Sequence, residues 1–139
     1  MATTAQISLT SDIASGFSGI TKSMTLYEAG TEIDLKETTG YSRKKLASTS
    51  KVDLVTMANT MVDTTATTTG AKIYIKNIGY ADVIDKSVGV MVLINSQEIG
   101  RLYGGDWLMM PVTAADGEDI EVQPDKDDAV VLEWALFYQ

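Results

Sequence analysis

The sequence predicts an all-β fold: a single antiparallel β-sandwich or jelly-roll-like domain with an extended N-terminal arm. Residues 71–77 alternate strictly between apolar and polar side chains, which is typical of a strand with one buried face. Turn residues then recur about every 8–12 positions, as they do in sandwiches and barrels. The chain closes with the apolar run Val130–Tyr138, whose even-numbered residues, Trp134 among them, share the predicted core face.

The arm is predicted over residues 1–20, and the domain over residues 21–139. Ile7, Leu9 and Ile13 stand out in an otherwise polar stretch. The alternation of Ile7 and Leu9 would let the arm add as a strand to a neighbouring protein; a frayed terminus is the alternative interpretation.

The next fifty residues carry shorter patterns. Gly30–Leu35 alternates as a short strand does, and Thr38–Tyr41 predicts a turn. Lys51–Val62 fits a strand or a helix, and its β-branched residues favour a strand. The threonine run that ends at Gly70 is predicted to be a loop.

The strands after residue 87 are more regular. Val88–Ile94 is apolar on both faces, so we expect a central strand or one beneath a subunit contact. Asn95–Glu98 predicts a hairpin turn, and Ile99–Tyr103 its returning strand. Trp107–Val112 contains Pro111, which has no N–H to donate, so this strand should lie at an edge or end there.

Charge and composition exclude several function classes. The 139 residues carry a formal net charge of −8, which argues against binding to a nucleic-acid backbone. No apolar run is long enough to span a bilayer, so we expect no membrane partner. Cysteine and histidine are absent, which excludes disulfides, thiolate metal sites and histidine-based catalysis.

No catalytic or cofactor motif is present. Neither a phosphate-binding loop nor a dinucleotide fingerprint occurs, and no serine lies in a nucleophile elbow. The remaining candidates for acid–base chemistry are carboxylates predicted in a turn and on a solvent face: Asp116, Glu118, Asp119 and Glu121. We therefore predict that the chain is not an enzyme and holds no cofactor.

Calcium is the better hypothesis for the acidic residues, because it takes oxygen ligands from loops. Asp125, Asp127 and Asp128 cluster in the predicted loop Pro124–Asp128. Their spacing does not match an EF-hand, and Lys126 lies among them. Solvated turn acids are the favoured interpretation, and no metal is predicted.

Two features suggest contact surfaces. Arg43, Lys44 and Lys45 form the basic run of the chain, either a solvated loop or an interface contact. Trp107 follows a turn and is predicted at the surface, and the run Trp107–Met110 has the aromatic and methionine content that interface cores favour.

The second half of the chain has a characteristic order of motifs: an extended strand ending in Asn, then Gly-x-Leu, Gly-Asp, Pro and a final apolar strand. These are Ala71–Asn77, Ile99–Leu102, Gly105 and Asp106, Met110–Val112, Ile120–Val122 and Val131–Phe137. In this order the chain resembles small virion proteins of tailed bacteriophages, of the capsid decoration (cement) type, which are built as β-sandwiches or jelly rolls.

The resemblance implies a structural role in the virion, for a protein made in the host cytoplasm. It implies binding to the major capsid protein or other virion proteins, stabilisation of the outer head lattice, and self-association, with a trimer favoured. The candidate interface residues are Ile7, Leu9, Ile13, Arg43, Lys44, Lys45 and Trp107.

Two alternatives remain open. One is a tail, neck or fibre-associated structural protein. The other, of a different class, is a jelly-roll carbohydrate- or ligand-binding module that uses Trp107, Tyr103 and the acidic loops.

Overall fold

A computed structural model describes residues 3–10, 20–27, 35, 37–57, 70–80, 86–113 and 119–138. All pairings among the described strands are antiparallel. In chain order the strands are β1 (Thr4–Leu9), β2 (Ile20–Thr25), β3 (Glu37–Thr38), β4 (Ser42–Leu46), β5 (Val52–Val55), β6 (Gly70–Gly79), β7 (Val90–Ile94), β8 (Gln97–Leu102), β9 (Trp107–Thr113), β10 (Ile120–Pro124) and β11 (Val130–Tyr138).

Strands β3 to β11 form two sheets that share one core. The four-stranded sheet has the order β5-β10-β7-β8. The five-stranded sheet has the order β3-β11-β6-β9, and β4 pairs with β11 along the same edge as β3. Apart from the β7–β8 hairpin, consecutive strands from β4 onward lie in opposite sheets. This is the strand order of a jelly roll, so the predicted all-β sandwich is confirmed.

The core lies between the two sheets. Ile75 and Leu132 from the five-stranded sheet share one fully buried cluster with Val90 and Val122 from the four-stranded sheet. Burial of each such side chain contributes about 1.5–3 kcal/mol to folding. Trp134 packs against this cluster, as the alternation in the last strand predicts.

Strand β7 lies between β10 and β8, so the central position predicted for Val88–Ile94 is confirmed. Val92 belongs to the core, and Leu93, on the opposite face of the strand, is also buried. The edge position predicted from Pro111 is confirmed as well, because β9 ends the five-stranded sheet and Pro111 is exposed there.

The hairpin after β7 is tighter than predicted. Ile94 pairs with Gln97, so β8 begins two residues before the predicted Ile99. Asn95 and Ser96 form the turn with φ values of 47° and 62°. Positive φ at both central residues is the type I′ geometry, whose twist matches that of the flanking strands.

Other sequence-based assignments have mixed outcomes. The strand predicted within Lys51–Val62 is confirmed over Val52–Val55, and residues 58–62 lie outside the described residues. The described residues also exclude the threonine run at 64–69 and most of the strand predicted at Gly30–Leu35, namely residues 30–34. Leu35 is described; it is fully buried and lies in no strand. The prediction of a loop at the basic run Arg43–Lys45 is wrong, because these residues lie in β4 and pair with β11.

The N-terminal strand is extended, as predicted, but it is paired within the chain. β1 and β2 form a separate two-stranded sheet, called the ribbon below, with Leu9 opposite Ile20 and Thr4 opposite Thr25. The ribbon therefore crosses the boundary predicted at residue 20. Beyond the last pair of the ribbon, Leu9 and Ile20, the chain continues into residues 11–19, which lie outside the described residues and include Ile13.

The ribbon is tied to the body of the protein at its other end. Leu26 N donates to Thr3 O, and Leu35 N donates to Leu26 O. The Thr3 hydroxyl donates to Leu35 O at 3.3 Å. Because Leu26 and Leu35 are both buried, these bonds anchor the base of the ribbon beside the start of β3.

Candidate functional site

The outer face of the five-stranded sheet carries aromatic side chains. The alternation that buries Ile73 and Ile75 turns Tyr74 and Lys76 outward. In the register with β9, Tyr74 lies opposite Met109 and Lys76 lies opposite Trp107. Trp107 is 49% exposed, so the predicted surface position of this residue is confirmed.

The base of the ribbon and this face enclose an open cavity of about 330 Å³, called the groove below. Thr3, Thr4, Ala5, Gln6 and Leu26 line it on the ribbon side. On the sheet side its lining consists of Tyr41, Tyr74, Lys76, Trp107, Met109 and Phe137. The groove combines aromatic rings, hydroxyl and amide groups and one ammonium group, which is the composition of a small-ligand site.

Two tyrosines in the groove form a fixed pair. The rings of Tyr41 and Tyr74 are 6.1 Å apart at an interplanar angle of 82°, an edge-to-face arrangement. Burial raises the pKa of the Tyr74 phenol, and the nearby Glu133 carboxylate, to which it hydrogen bonds, raises this pKa further. Tyr74 therefore keeps its proton and acts as a hydrogen-bond donor at this face.

The basic run does not form one patch. Arg43 Nη2 lies 3.3 Å from Glu133 Oε2, opposite it on β11. Lys44 Nζ instead donates to Asp53 O at 2.6 Å, which links the edges of the two sheets. The alternation of a strand separates the side chains, because residues one apart point to opposite faces.

Lys45 lies on the same face as Arg43 and contacts Tyr80. Its Nζ donates to the Tyr80 hydroxyl at 3.0 Å and lies 4.5 Å from the ring centroid. The hydrogen bond from Lys45 lowers the pKa of the Tyr80 phenol. Lys45 thus adds positive charge to the face that carries the groove, whereas the charge of Arg43 is offset by Glu133.

The apolar residues predicted for the arm lie on one face of the ribbon. Ile7 and Leu9 share that face with Ile20 and Met24 by the register of the two strands, and the four are between 42% and 59% exposed; Lys22, opposite Ile7, lies on the same face. The opposite face is polar, and Ser8 lies across from Thr21. Ile13, the third predicted interface residue of the arm, lies outside the described residues.

The calcium candidates serve separate contacts. Asp125 Oδ1 accepts from Gly89 N at 3.0 Å, and Asp125 Oδ2 lies 3.9 Å from Arg101. Asp127 accepts from Thr49 N at 3.0 Å. Among the described residues no three acidic side chains are grouped as a metal ion requires.

Glu121, predicted on a solvent face, is buried, with 8% of its surface exposed. Its carboxylate accepts from Lys51 Nζ at 2.5 Å and from Ser96 N at 2.7 Å. The bond from Lys51 lowers the pKa of Glu121, and the Ser96 amide lowers it further against the opposing effect of burial. Glu121 therefore stays ionised and holds the Asn95–Ser96 turn against β10.

The structure does not bring the other acids considered for catalysis together with Glu121. Asp119 Oδ1 accepts from Met57 N at 2.9 Å, and Asp116 and Glu118 lie outside the described residues. Tyr103, named with Trp107 for the ligand-binding alternative, is not part of the groove lining; its ring lies beside Gly89.

Sequence reasoning missed two features. Tyr41, Tyr74 and Lys76 join Trp107 in the groove, and the only signal for this was that Tyr74 and Lys76 fall on the polar side of β6. Asn77 was noted only as the end of a strand, yet it is fully buried. Its Nδ2 donates to Leu102 O at 3.1 Å and Val88 O at 3.4 Å, while its Oδ1 accepts from Gly79 N.

No protein-family model matches the chain, and no curated protein is significantly similar to it in sequence. In the part of the chain that the structure describes, no helix has the length and apolar character needed to cross a membrane.

Proposed function

We propose that the chain is a structural virion protein of a tailed bacteriophage: a decoration protein that binds the outer surface of the head lattice and stabilises it. The proposal rests first on the resemblance in the order of strands and turns along residues 71–137. The observation that carries it is the ribbon, which projects one apolar face from a jelly-roll body.

The ribbon has the properties of a segment that is stabilised by contact with a partner protein. A two-stranded sheet alone is at best marginally stable in water. Here Ile7, Leu9 and Met24 expose apolar surface on one face, beside Lys22, and a cluster of exposed apolar residues rimmed by polar ones marks an interaction site. Packing this face against a shell protein would bury that surface and fix the ribbon.

The charge distribution also supports binding to an acidic shell protein. The chain as a whole is acidic, with a net charge of −8, yet Arg43 and Lys45 lie together on the outer face of the five-stranded sheet. Cations at the rim of an interface increase the rate of association with an acidic partner surface. The ribbon supplies apolar contact, and these residues supply charge complementarity. Self-association as a trimer would place several ribbons on one local lattice axis.

Reconstitution of particles tests the proposal. Particles of the encoding phage that lack this protein are mixed with purified wild-type protein or with the double variant I7S/L9S, and occupancy is measured by sedimentation and cryo-electron microscopy. We expect the variant to bind roughly tenfold more weakly or worse, since two apolar contacts are lost. The matched control S8A/T21A changes the polar face of the ribbon and should bind as wild type does.

Three outcomes would contradict the proposal. The protein could be absent from purified virions by mass spectrometry. Its density could lie on the tail or neck and not on the head. The I7S/L9S variant could decorate particles as well as S8A/T21A does, with circular dichroism showing that both are folded.

A further inference from the structure

The geometry points to a second binding site, in the groove, for the carboxylate-bearing terminal sugar of a glycan. We propose that a pyranose ring stacks on Trp107 while its carboxylate binds the ammonium group of Lys76. None of the exposed apolar residues of the ribbon, Ile7, Leu9, Ile20 and Met24, lines the groove, so sugar binding can be measured on the free protein without a shell.

The groove has the size of a small-ligand site. Its volume of about 330 Å³ is at the lower end of the range for such pockets, and it is open on one side. One sugar unit can therefore enter while the rest of a glycan remains in solvent. A longer or bulkier ligand would not be enclosed.

The aromatic residues provide the stacking surface. Trp107 is half exposed beside the groove, whereas Trp134 packs against the core. The edge-to-face contact between Tyr41 and Tyr74 places two further rings beside Trp107, where they extend the aromatic surface of the groove. The Tyr74 hydroxyl donates its one proton to Glu133, so its oxygen is left to accept from a sugar hydroxyl, and the Thr3 and Gln6 side chains on the opposite wall offer further hydrogen bonds.

Lys76 sets the preference for an acid. It lies directly opposite Trp107 in the strand pairing and is the charged residue in the groove lining. Glu133, its neighbour on β11, forms its ion pair with Arg43. Within the described residues Lys76 has no ion-pair partner, so its ammonium group is available to a ligand carboxylate.

The acidic net charge does not prevent this. Charges more than about 8–10 Å away are largely screened at physiological ionic strength. Near the groove the charges of Arg43 and Glu133 offset each other in their ion pair, which leaves Lys76 as the charge that a ligand anion can meet. A single terminal acid fits this arrangement better than a polyanion, which would extend over the acidic remainder of the surface.

Titration with matched sugars tests the inference. Purified wild-type protein is titrated with a trisaccharide that ends in glucuronic acid and with the same trisaccharide ending in glucose. Binding is followed by calorimetry, by saturation-transfer NMR and by tryptophan fluorescence, which reports stacking on Trp107. We expect the acidic sugar to bind at least tenfold more tightly and to shift the fluorescence.

Variants separate the two contacts. K76Q should make the acidic and neutral sugars bind equally, and W107A should weaken both at least tenfold by calorimetry. K72Q is the matched control, because Lys72 lies on the same face of β6 but is not part of the groove lining. It should retain the tenfold preference.

The inference is overturned if the wild type binds the two sugars equally or binds neither. It is also overturned if K72Q loses the preference as K76Q does, or if sodium acetate or a hexaglutamate peptide competes as well as the acidic sugar. Saturation transfer on the wild type keeps the test decisive even if W107A does not fold.

Discussion

Replacement of Asn77 by Ala should destabilise the protein far more than its position at the end of a strand indicates. The side chain is fully buried and connects the sheets, because β6 belongs to one sheet while Val88 and Leu102 lead into β7 and end β8 in the other. In N77A the Leu102 carbonyl and the Gly79 amide lose partners at 3.1 and 3.0 Å.

The expected cost follows from these bonds. A buried polar group left without a partner costs about 1–3 kcal/mol, and the 3.4 Å contact with Val88 adds little at that length. Two unpaired groups therefore give a loss of about 2–6 kcal/mol, out of a total of about 5–15 kcal/mol for a domain. For a chain of this length that lowers Tm by roughly 10 °C or more.

Urea and thermal unfolding, followed by the fluorescence of the core residue Trp134 and by circular dichroism, measure this cost. N77D keeps the acceptor for Gly79 but places a carboxylate against two carbonyl oxygens. Its folded-state pKa should be raised, so N77D should be closest to wild type at low pH and lose stability as pH rises above about 4. The surface control Q97A should change stability by less than about 0.5 kcal/mol.

The reasoning about Asn77 would be refuted by an N77A protein within about 0.5 kcal/mol of wild type. A stability difference between N77D and wild type that does not change with pH would refute it equally. Either result would mean that the buried amide does not hold the two sheets together.

Three further predictions concern the turns and ion pairs. G89A should lose about 1–2 kcal/mol in urea unfolding, because its Cβ would lie 2.8 Å from Asp125 Oδ2; unchanged stability would show that Asp125 yields freely. E121Q should cost about 1 kcal/mol near pH 7, since Lys51 is partly solvated. Because the folded-state pKa of Glu121 is lowered from 4.5, the ionised carboxylate stabilises the wild type above that pH, and this stabilisation is lost on acidification. The free energies of unfolding of wild type and E121Q should therefore converge below about pH 4, and a difference that stays constant with pH would contradict the ion pair. S96G should be about 1 kcal/mol more stable than S96A, since both lose the hydroxyl that accepts from Lys51 at 2.7 Å but only glycine adopts the φ of 62° without strain; equal stability of the two variants would argue against the type I′ turn.

The local patterns of the sequence determined much of the sandwich. Period-two alternation identified the buried faces of β6 and β11, because one face of each strand lies on the core. The position of Pro111 identified an edge strand, since proline cannot donate to a ladder. The two-sided apolar run identified β7 as a central strand.

The same patterns could not locate burial that depends on distant partners. Glu121 alternates like a solvent-facing residue, and it is buried because Lys51, just before β5, and the Ser96 amide, in the turn between β7 and β8, contact its carboxylate. Strand β8 begins two residues before the predicted Ile99, because the twist of the paired strands favours a two-residue turn at Asn95 and Ser96.

The groove was decided entirely by the tertiary structure. Its lining comes from the ribbon base, from Tyr41 and from β6, β9 and β11, so it joins residues as far apart in the chain as Thr3 and Phe137. Alternation placed Tyr74 and Lys76 on an outer face, but only the antiparallel register brings Lys76 opposite Trp107. By itself the sequence determined which faces are apolar, because that is a local property of each strand. Only the long-range pairing of a jelly roll decided which residues meet, because the contacts that join distant strands leave no periodic signal in the chain.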